Sequence, residues 1–213
     1  MKKMVNAVRL AATFKDLAAV DSVSRSEGNF AALLKKRFES LGAETSIDRA
    51  GTAAGSDSGN LIARLPGRAK VTPLLFNAHM DTVEPGNGIA VISRNGRFTS
   101  RGNTILGADD KSAIAILIEA VTILREQHLK HGPLELVLTI CEEIGLLGAK
   151  HLEFERLKAP FGYALDATDT DGLITQAPSA SHFTINVFGR EAHAGSSPEK
   201  GINAIVLASK AIA

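Results

Sequence analysis

The fold of this chain follows from the segment Pro73-Leu-Leu-Phe-Asn-Ala-His79-Met-Asp81. Its apolar residues, 74–76, predict a buried strand, and His79 and Asp81 follow at its end. Residues two apart on a strand point to the same side, so the imidazole and the carboxylate leave the strand together. Open α/β sheets hold ligands at the carboxyl ends of their strands. An imidazole beside a carboxylate is typical of a metal ligand and the group that orients it, although such pairs also occur on ordinary polar surfaces.

Outward from this segment, predicted strands and helices alternate along the chain. Further strands are predicted at 43–48, 60–65, 134–140 and 161–165. Apolar spacing predicts helices at 5–19, 28–41, 108–131 and 146–157. The nearly all-apolar strand 134–140 is typical of a sheet that is covered on both faces. The sequence therefore predicts a three-layer α/β domain with a mostly parallel mixed sheet.

Several local features refine this prediction. Ser24-x-x-Glu27 has the spacing of a capping box, and the helix after it has one apolar face. The small polar residues 50–59 predict a flexible loop. Asn95-Gly96, between two short apolar runs, predicts a β-hairpin. The predicted buried face of the second helix consists of Phe30, Leu33, Leu34, Phe38 and Leu41.

The pattern changes after Asp166. Residues 173–175 and 182–188 alternate like antiparallel strands, and a helix is predicted from Pro198 onward. One helix and two strands are too little for a stable layer of their own. We expect a catalytic, metal-binding domain in residues 1–177 and the beginning of a second domain in residues 178–213.

Composition excludes several classes of protein. The 213 residues are 45% hydrophobic and 22% charged, with a net charge of +1. The sequence has no basic stripe, so it does not indicate a nucleic-acid or anionic-membrane partner. The single cysteine, Cys141, excludes an internal disulfide and suits a reducing compartment. No apolar run resembles a signal peptide or approaches the ~20 residues of a membrane span, so a cytoplasmic protein is expected.

Acidic residues or histidine stand at four junctions that end a strand or begin a helix. They are His79/Asp81, Asp109/Asp110, Glu142/Glu143 and Asp166. Each cluster alone has a structural explanation as a helix cap or dipole partner. Gathered at one rim of one sheet, however, the carboxylates would repel one another unless a cation lay among them. A zinc ion takes about four such ligands.

The neighbouring residues Glu142 and Glu143 indicate how such a site would work. Their side chains diverge at a strand end, so one can bind metal while the other faces the reacting water. Zinc lowers the pKa of water to about 7, and a base must still accept the proton. This arrangement predicts hydrolysis, and an amide is the expected substrate.

Four motifs, in this order, resemble those of the M20 metallopeptidases, most closely the peptidase T-like (tripeptide aminopeptidase) branch. They are His79-Met-Asp81, Gly107-Ala-Asp109-Asp-Lys111, Cys141-Glu142-Glu143-Ile-Gly145 and Ala192-His193-Ala-Gly195. The resemblance covers nearly the whole chain. It implies a zinc-exopeptidase-like catalytic domain, followed by the start of a small α+β lid or dimerisation domain.

The resemblance also implies roles for individual residues. The chain's ligands of a two-zinc site would be His79, Asp109 as the bridge, Glu143 and Asp166. Asp81 would orient His79, and Glu142 would be the general base and acid. The Asp109–Asp110 peptide bond is expected to be cis.

His193 and Asn203 resemble substrate-binding residues of the lid domain, through which family members form homodimers. The sequence does not distinguish zinc from Co²⁺ or Mn²⁺ as the metal in use.

The chain departs from the family in one respect. The family's last metal ligand is a histidine from the C-terminal return of the chain, and none of the 213 residues matches it. His128, His131 and His151 are expected at exposed positions. Because family members are also considerably longer, we expect this sequence to be the N-terminal portion of such an enzyme. By itself it is expected to bind at most one metal ion tightly and to be inactive.

Alternative functions stay open at this point. The similarity of residues 143–150 favours an aminopeptidase of short peptides, hydrolysed by metal-activated water. An M20-type carboxypeptidase or N-acyl-amino-acid amidohydrolase is the first alternative, and an inactive metal-binding fragment is the second. A nucleotide-binding protein is disfavoured, because neither Gly-x-Gly-x-x-Gly nor a P-loop follows a strand. The expected partner is a small peptide, not nucleic acid or membrane.

Overall fold

A five-stranded sheet forms the centre of the first of two compact units, Met1–Thr168 and Asp169–Ala213. The structure is a computed structural model, and it describes residues 4–167, 171–177, 179, 181 and 183–213. The strands are β1 (Glu44–Ile47), β2 (Leu61–Leu65), β3 (Leu74–His79), β4 (Val91–Arg94), β5 (Arg97–Ser100), β6 (Leu134–Thr139) and β7 (Gly162–Ala164). The helices are α1 (Ala7–Ala18), α2 (Gly28–Ser40), α3 (Ala50–Ala54), α4 (Ala108–Glu126), α5 (Leu147–Lys150) and α6 (Ala204–Ile212).

The sheet has the order β1-β2-β6-β3-β7. Strand β3 runs parallel to both β6 and β7, whereas β2 is antiparallel to β1 and β6. Four of these five strands therefore run in one direction. Residues 135–139 of β6 are all buried, which places this strand in a sheet covered on both faces. The predicted α/β fold class with a mostly parallel mixed sheet is confirmed.

The helices bury their apolar faces largely as the spacing predicts. Phe14 of α1, Leu34 of α2 and Ile114 of α4 all belong to one buried core. Leu33 is an exception, because its side chain remains 39% exposed. The hairpin is confirmed as well: β4 pairs with β5, and Asn95 and Gly96 between them both have positive φ angles.

The capping-box prediction was wrong. Glu27 precedes α2 with helical dihedral angles, and its side chain makes no capping hydrogen bond. The Ser24 hydroxyl instead donates to the Asp81 carboxylate, 2.6 Å away. The Glu27 carboxylate turns inward and accepts a hydrogen bond from the backbone N–H of Cys141. Tertiary partners therefore replace the local ones that the spacing indicated.

Two further local predictions need correction. Residues 50–59 are not a continuous loop, because they begin with α3. The Asp48 carboxylate accepts from the N–H groups of Ala50 and Asn60, and so fixes the chain at both sides of that segment. The helix predicted near 146–157 is broken. It consists of the short α5 and a separate 3-10 turn, Phe154–Arg156.

The second unit lacks the two predicted strands where it is described. Residues 171–177 and 183–189 form no strand, and His182 lies outside the described residues. Phe183 and Phe188 are 81% and 84% exposed, so the alternating apolar pattern buries no face within this unit. The predicted helix begins at Ala204, after a 3-10 turn at Pro198–Lys200.

Across the described ranges, no helix has both the length and the apolar character that crossing a membrane requires.

Candidate metal centre

The predicted site residues of the first unit meet at one edge of the sheet. Strands β6, β3 and β7 lie side by side and parallel, so their carboxyl ends share an edge. Glu142 and Glu143 follow β6, His79 ends β3, and Asp166 follows β7. Asp109 does not follow a strand; it lies at the start of α4. The topology therefore brings together residues that are far apart in sequence.

The donor atoms of these side chains form two overlapping groups. One contains His79, Glu142 and Asp166, and the other contains His79, Asp109 and Glu143. Within each group, one donor atom from every residue lies within 4.8 Å of the others. This geometry does not separate Glu142 from the ligands, so its role as the base stays a prediction.

His79 lies at the centre of both groups, and it is 2% exposed. Its Nδ1 lies 2.9 Å from the backbone oxygen of Asp81, and its Nε2 lies 2.9 Å from Oδ1 of Asp109. An Nδ1–H that donates to Asp81 leaves Nε2 directed at the carboxylates. Burial alone lowers the pKa of His79, but hydrogen bonds to Asp81 and Asp109 outweigh it and raise the pKa to about 10.

Asp81 holds more than the histidine. Its carboxylate lies 3.5 Å from Nδ1 of His79, and it accepts the backbone N–H groups of Glu142 (2.8 Å) and Glu143 (3.2 Å). Burial raises the pKa of Asp81, but hydrogen bonds from His79, Ser24 and Glu142 more than reverse this and lower it. Asp81 therefore carries negative charge. It also connects the end of β3 to Glu142 and Glu143, which form the turn after β6 (the β6 turn).

Asp110 is a further buried carboxylate beside His79, and no pattern in the sequence indicated a separate role for it. The Asp110 carboxylate accepts a hydrogen bond from the backbone N–H of His79 at 3.2 Å, and Asp110 is 3% exposed. Burial raises the pKa of Asp110 to about 7, against the opposing effect of His79. The Asp109–Asp110 peptide bond is cis.

The electrostatics fit a bound cation. Burial raises the pKa of Glu142, Glu143 and Asp166, and the negative charges of neighbouring carboxylates add to the effect. His79 opposes this rise at all three residues. A cation among these groups would stabilise their charged forms. One imidazole nitrogen with several carboxylate oxygens is a donor set that suits zinc.

Metal affinity is therefore expected to rise with pH. Metal binding must displace the proton from His79, whose raised pKa keeps it protonated at neutral pH, and any protons held by the carboxylates. Each displaced proton makes the affinity rise by about tenfold per pH unit below the relevant pKa. Competition with a chromophoric zinc chelator between about pH 6 and about pH 8 would measure this.

A variant of the exposed His128 serves as the control for this experiment, and its pH dependence should match that of the unmodified protein. An affinity that did not change with pH would contradict the arrangement around His79.

The two predicted substrate-binding residues belong to the second unit. Nδ1 of His193 accepts from the backbone N–H groups of Gly195 and Ser196, at 3.1 and 3.2 Å. Oδ1 of Asn203 accepts from the N–H groups of Ile205 and Val206 and so caps α6. Both side chains therefore have local structural partners, and their roles in substrate binding stay predictions.

Three histidines were expected at exposed positions. His128 and His151 are exposed, whereas His131 is half-buried. Nδ1 of His131 lies 2.7 Å from the backbone oxygen of Gly132.

The chain is similar in sequence and fold to two peptidases of known structure, and similar in sequence to an uncharacterized protein. The aminopeptidase PepT from Bacillus cereus ATCC 10987 is 39% identical with a TM-score of 0.76, over 98% of this chain and 57% of that one. A tripeptidase from Staphylococcus aureus subsp. aureus Mu50 is 34% identical with a TM-score of 0.81, over 98% of this chain and 56% of that one. The uncharacterized protein YqjE of Bacillus subtilis (strain 168) is 42% identical over 210 residues, which are 98% of this chain.

The chain spans only 57% of the length of YqjE. The sequence model described as peptidase family M28 matches residues 60–194, which is more than half of the chain. This matched segment contains His79, Asp109 and Asp166, together with the two glutamates of the β6 turn. The resemblance of the motifs to M20 stays a prediction beside this match. Because the family model matches more than half of the chain, the chain belongs to peptidase family M28.

Proposed function

We propose that this chain is the metal-binding part of a zinc-dependent exopeptidase that removes residues from the amino terminus of short peptides. The observation that carries the proposal is the convergence of five donor side chains at the carboxyl edge of β6, β3 and β7: His79, Asp109, Glu142, Glu143 and Asp166. The similarity to PepT and to the tripeptidase supports an aminopeptidase of the peptidase T-like, M20 branch.

The residues that would hold zinc are His79, Asp109, Glu143 and Asp166. When bound, zinc supplies a Lewis acid that polarises the substrate carbonyl and lowers the pKa of water. The Nδ1 contact of His79 with the Asp81 carbonyl fixes the ring so that Nε2 faces the metal side. Co²⁺ or Mn²⁺ would be held by the same donors.

Glu142 is proposed to move the proton. Its carboxylate accepts a proton from the attacking water and passes it to the nitrogen of the leaving amine. Burial raises the pKa of Glu142, and a base whose pKa lies nearer the working pH also returns its proton more readily. Asp81 holds the backbone of Glu142 while this occurs.

The second unit is proposed to be the beginning of a lid that also joins two copies of the protein. Support comes from large apolar side chains that are exposed within that unit, Phe183, Phe188 and Ile205 among them. His193 and Asn203 are the proposed substrate-binding residues of this lid. The cytoplasmic location is proposed from the single cysteine, which suits a reducing compartment.

The proposed function is tested with the full-length natural protein. We expect bound zinc, hydrolysis of tripeptides that have a free amino terminus, and no hydrolysis of the same peptides after N-acetylation. Removal of zinc with a chelator should abolish hydrolysis, and added zinc should restore it. Cleavage of N-acyl amino acids would instead favour the amidohydrolase. Bound zinc without any hydrolysis would favour a non-catalytic metal-binding protein.

A further inference from the structure

The turn after β6 is held by two carboxylates through three successive backbone N–H groups. Cys141 donates to Oε1 of Glu27 at 2.9 Å. Glu142 and Glu143 donate to the two oxygens of Asp81 at 2.8 and 3.2 Å. These N–H groups lie between β6 and α5, so neither the sheet nor the helix pairs them. The position of the Glu142 backbone therefore depends on Glu27 and Asp81.

Glu27, like Asp81, is 0% exposed. Besides the Cys141 N–H, its Oε1 accepts the Cys141 thiol at 3.3 Å, and its Oε2 accepts the Ser56 hydroxyl at 2.5 Å. Its side chain makes no capping bond to α2, which it directly precedes. Burying a carboxylate is costly unless hydrogen bonds compensate. Here two of the three described donors belong to the residue that precedes Glu142.

Cys141 needs such support because of its backbone conformation. Its φ angle is +50°, in the left-handed region that residues with a side chain seldom occupy. Such a conformation persists where the surrounding structure holds it in place. Glu27 binds both the N–H and the thiol of Cys141, and the direction of the next residue, Glu142, follows from this conformation.

We propose that Glu27 is a positioning residue for Glu142, which acts by fixing Cys141 and with it the place from which Glu142 exchanges a proton. The inference rests on the proposed peptidase function. Ser24 belongs to the same segment and supports the other half of the turn, because its hydroxyl donates to Asp81. The connection between α1 and α2 thus determines the geometry of a site that is remote from it in sequence.

Glu27→Ala in the full-length protein should lower kcat by about tenfold to about 10²-fold, since misplacing a reacting group by about 1 Å has effects of this size. KM and zinc content should stay within about threefold of the unmodified protein, because Asp81 still holds the backbone of the proposed ligand Glu143 and the other proposed ligands lie outside this turn. Glu27→Gln keeps an acceptor for the Cys141 N–H and should restore most of kcat. Ser56→Ala is the matched control, because it removes a hydrogen bond from the same carboxylate without touching Cys141.

A double-substitution experiment separates positioning from a general loss of structure. Combined with Glu142→Gln, Glu27→Ala should lower kcat by less than about threefold further, because the group that it positions is already absent. If Glu27→Ala does not fold, Glu27→Asp tests the same point. It keeps the charge but draws the acceptor away from Cys141, and it should also lower kcat.

Two results would overturn the inference. One is a folded Glu27→Ala or Glu27→Asp protein with unchanged kcat, and the other is a full further loss of kcat in the Glu142→Gln background. Failure of the proposed function would be distinct. In that case the unmodified protein would not hydrolyse peptides, or Glu142→Gln would leave hydrolysis intact.

Discussion

Glu142→Gln in the full-length protein is expected to lower kcat for peptide hydrolysis by about 10²–10⁴-fold, the usual contribution of a general acid–base group. Glutamine has nearly the shape of glutamate but cannot accept the proton from water. The backbone of residue 142 should stay in place, because its N–H bond to Asp81 does not involve the side chain. Zinc content should therefore be unchanged.

The measurement combines steady-state kinetics with metal quantitation on the same preparation. Glu155→Gln is a suitable control, because Glu155 is an exposed glutamate outside the two donor groups. Activity within a few-fold of the unmodified protein would show that Glu142 is not the base. A loss of zinc from Glu142→Gln would show instead that Glu142 is a ligand, as its place beside His79 and Asp166 also allows.

His79→Ala is expected to weaken zinc binding by more than about 10²-fold, which exceeds the loss of about 10–100-fold typical of residues that only support a ligand. His79 is the only residue common to both donor groups of the described structure, and it is their only nitrogen donor. Removing it leaves carboxylates alone, in a site where burial already raises the pKa values of Glu142, Glu143 and Asp166.

Two variants calibrate this result. Asp81→Ala should weaken zinc binding by about 10–100-fold, because Asp81 supports His79 and the β6 turn without being a proposed ligand. His128→Ala should leave the affinity unchanged, since His128 is exposed and belongs to neither donor group. Equilibrium dialysis with metal quantitation would measure all three. Equal affinities for His79→Ala and the unmodified protein would remove His79 from the ligand set.

The sequence predicted the place of the candidate site because that place depends on strand direction. Parallel strands end at one edge, so polar residues that directly follow β3, β6 and β7 must be neighbours. The apolar runs predicted these three strands, and the sheet contains all of them. Burial was predicted less well: β6 is buried, but residues 74–76 of β3 are half-buried and β7 is exposed.

Features that depend on tertiary partners were not predictable in the same way. Ser24 and Glu27 have the spacing of a capping box, but their hydrogen bonds go to Asp81 and Cys141, which no local pattern indicates. The alternation in residues 182–188 predicted a strand, yet a strand needs another strand to pair with and a surface on which to bury its apolar side. Within the described part of the second unit, residues 183–189 pair with no other strand, and the side chains of Phe183 and Phe188 remain exposed.

The proposed donor residues are widely spaced along the chain, so they come together only when the sheet forms. His79 and Asp109 are separated by 30 positions, Asp109 and Glu142 by 33, and Glu143 and Asp166 by 23. Apart from the adjacent glutamates, no short peptide of the chain contains two of these donors. Their meeting requires β6, β3 and β7 to be paired, and such distant pairings form slowly. The proposed metal-binding residues are therefore brought together only after the sheet has folded, and we expect metal binding by a nascent chain to follow that step.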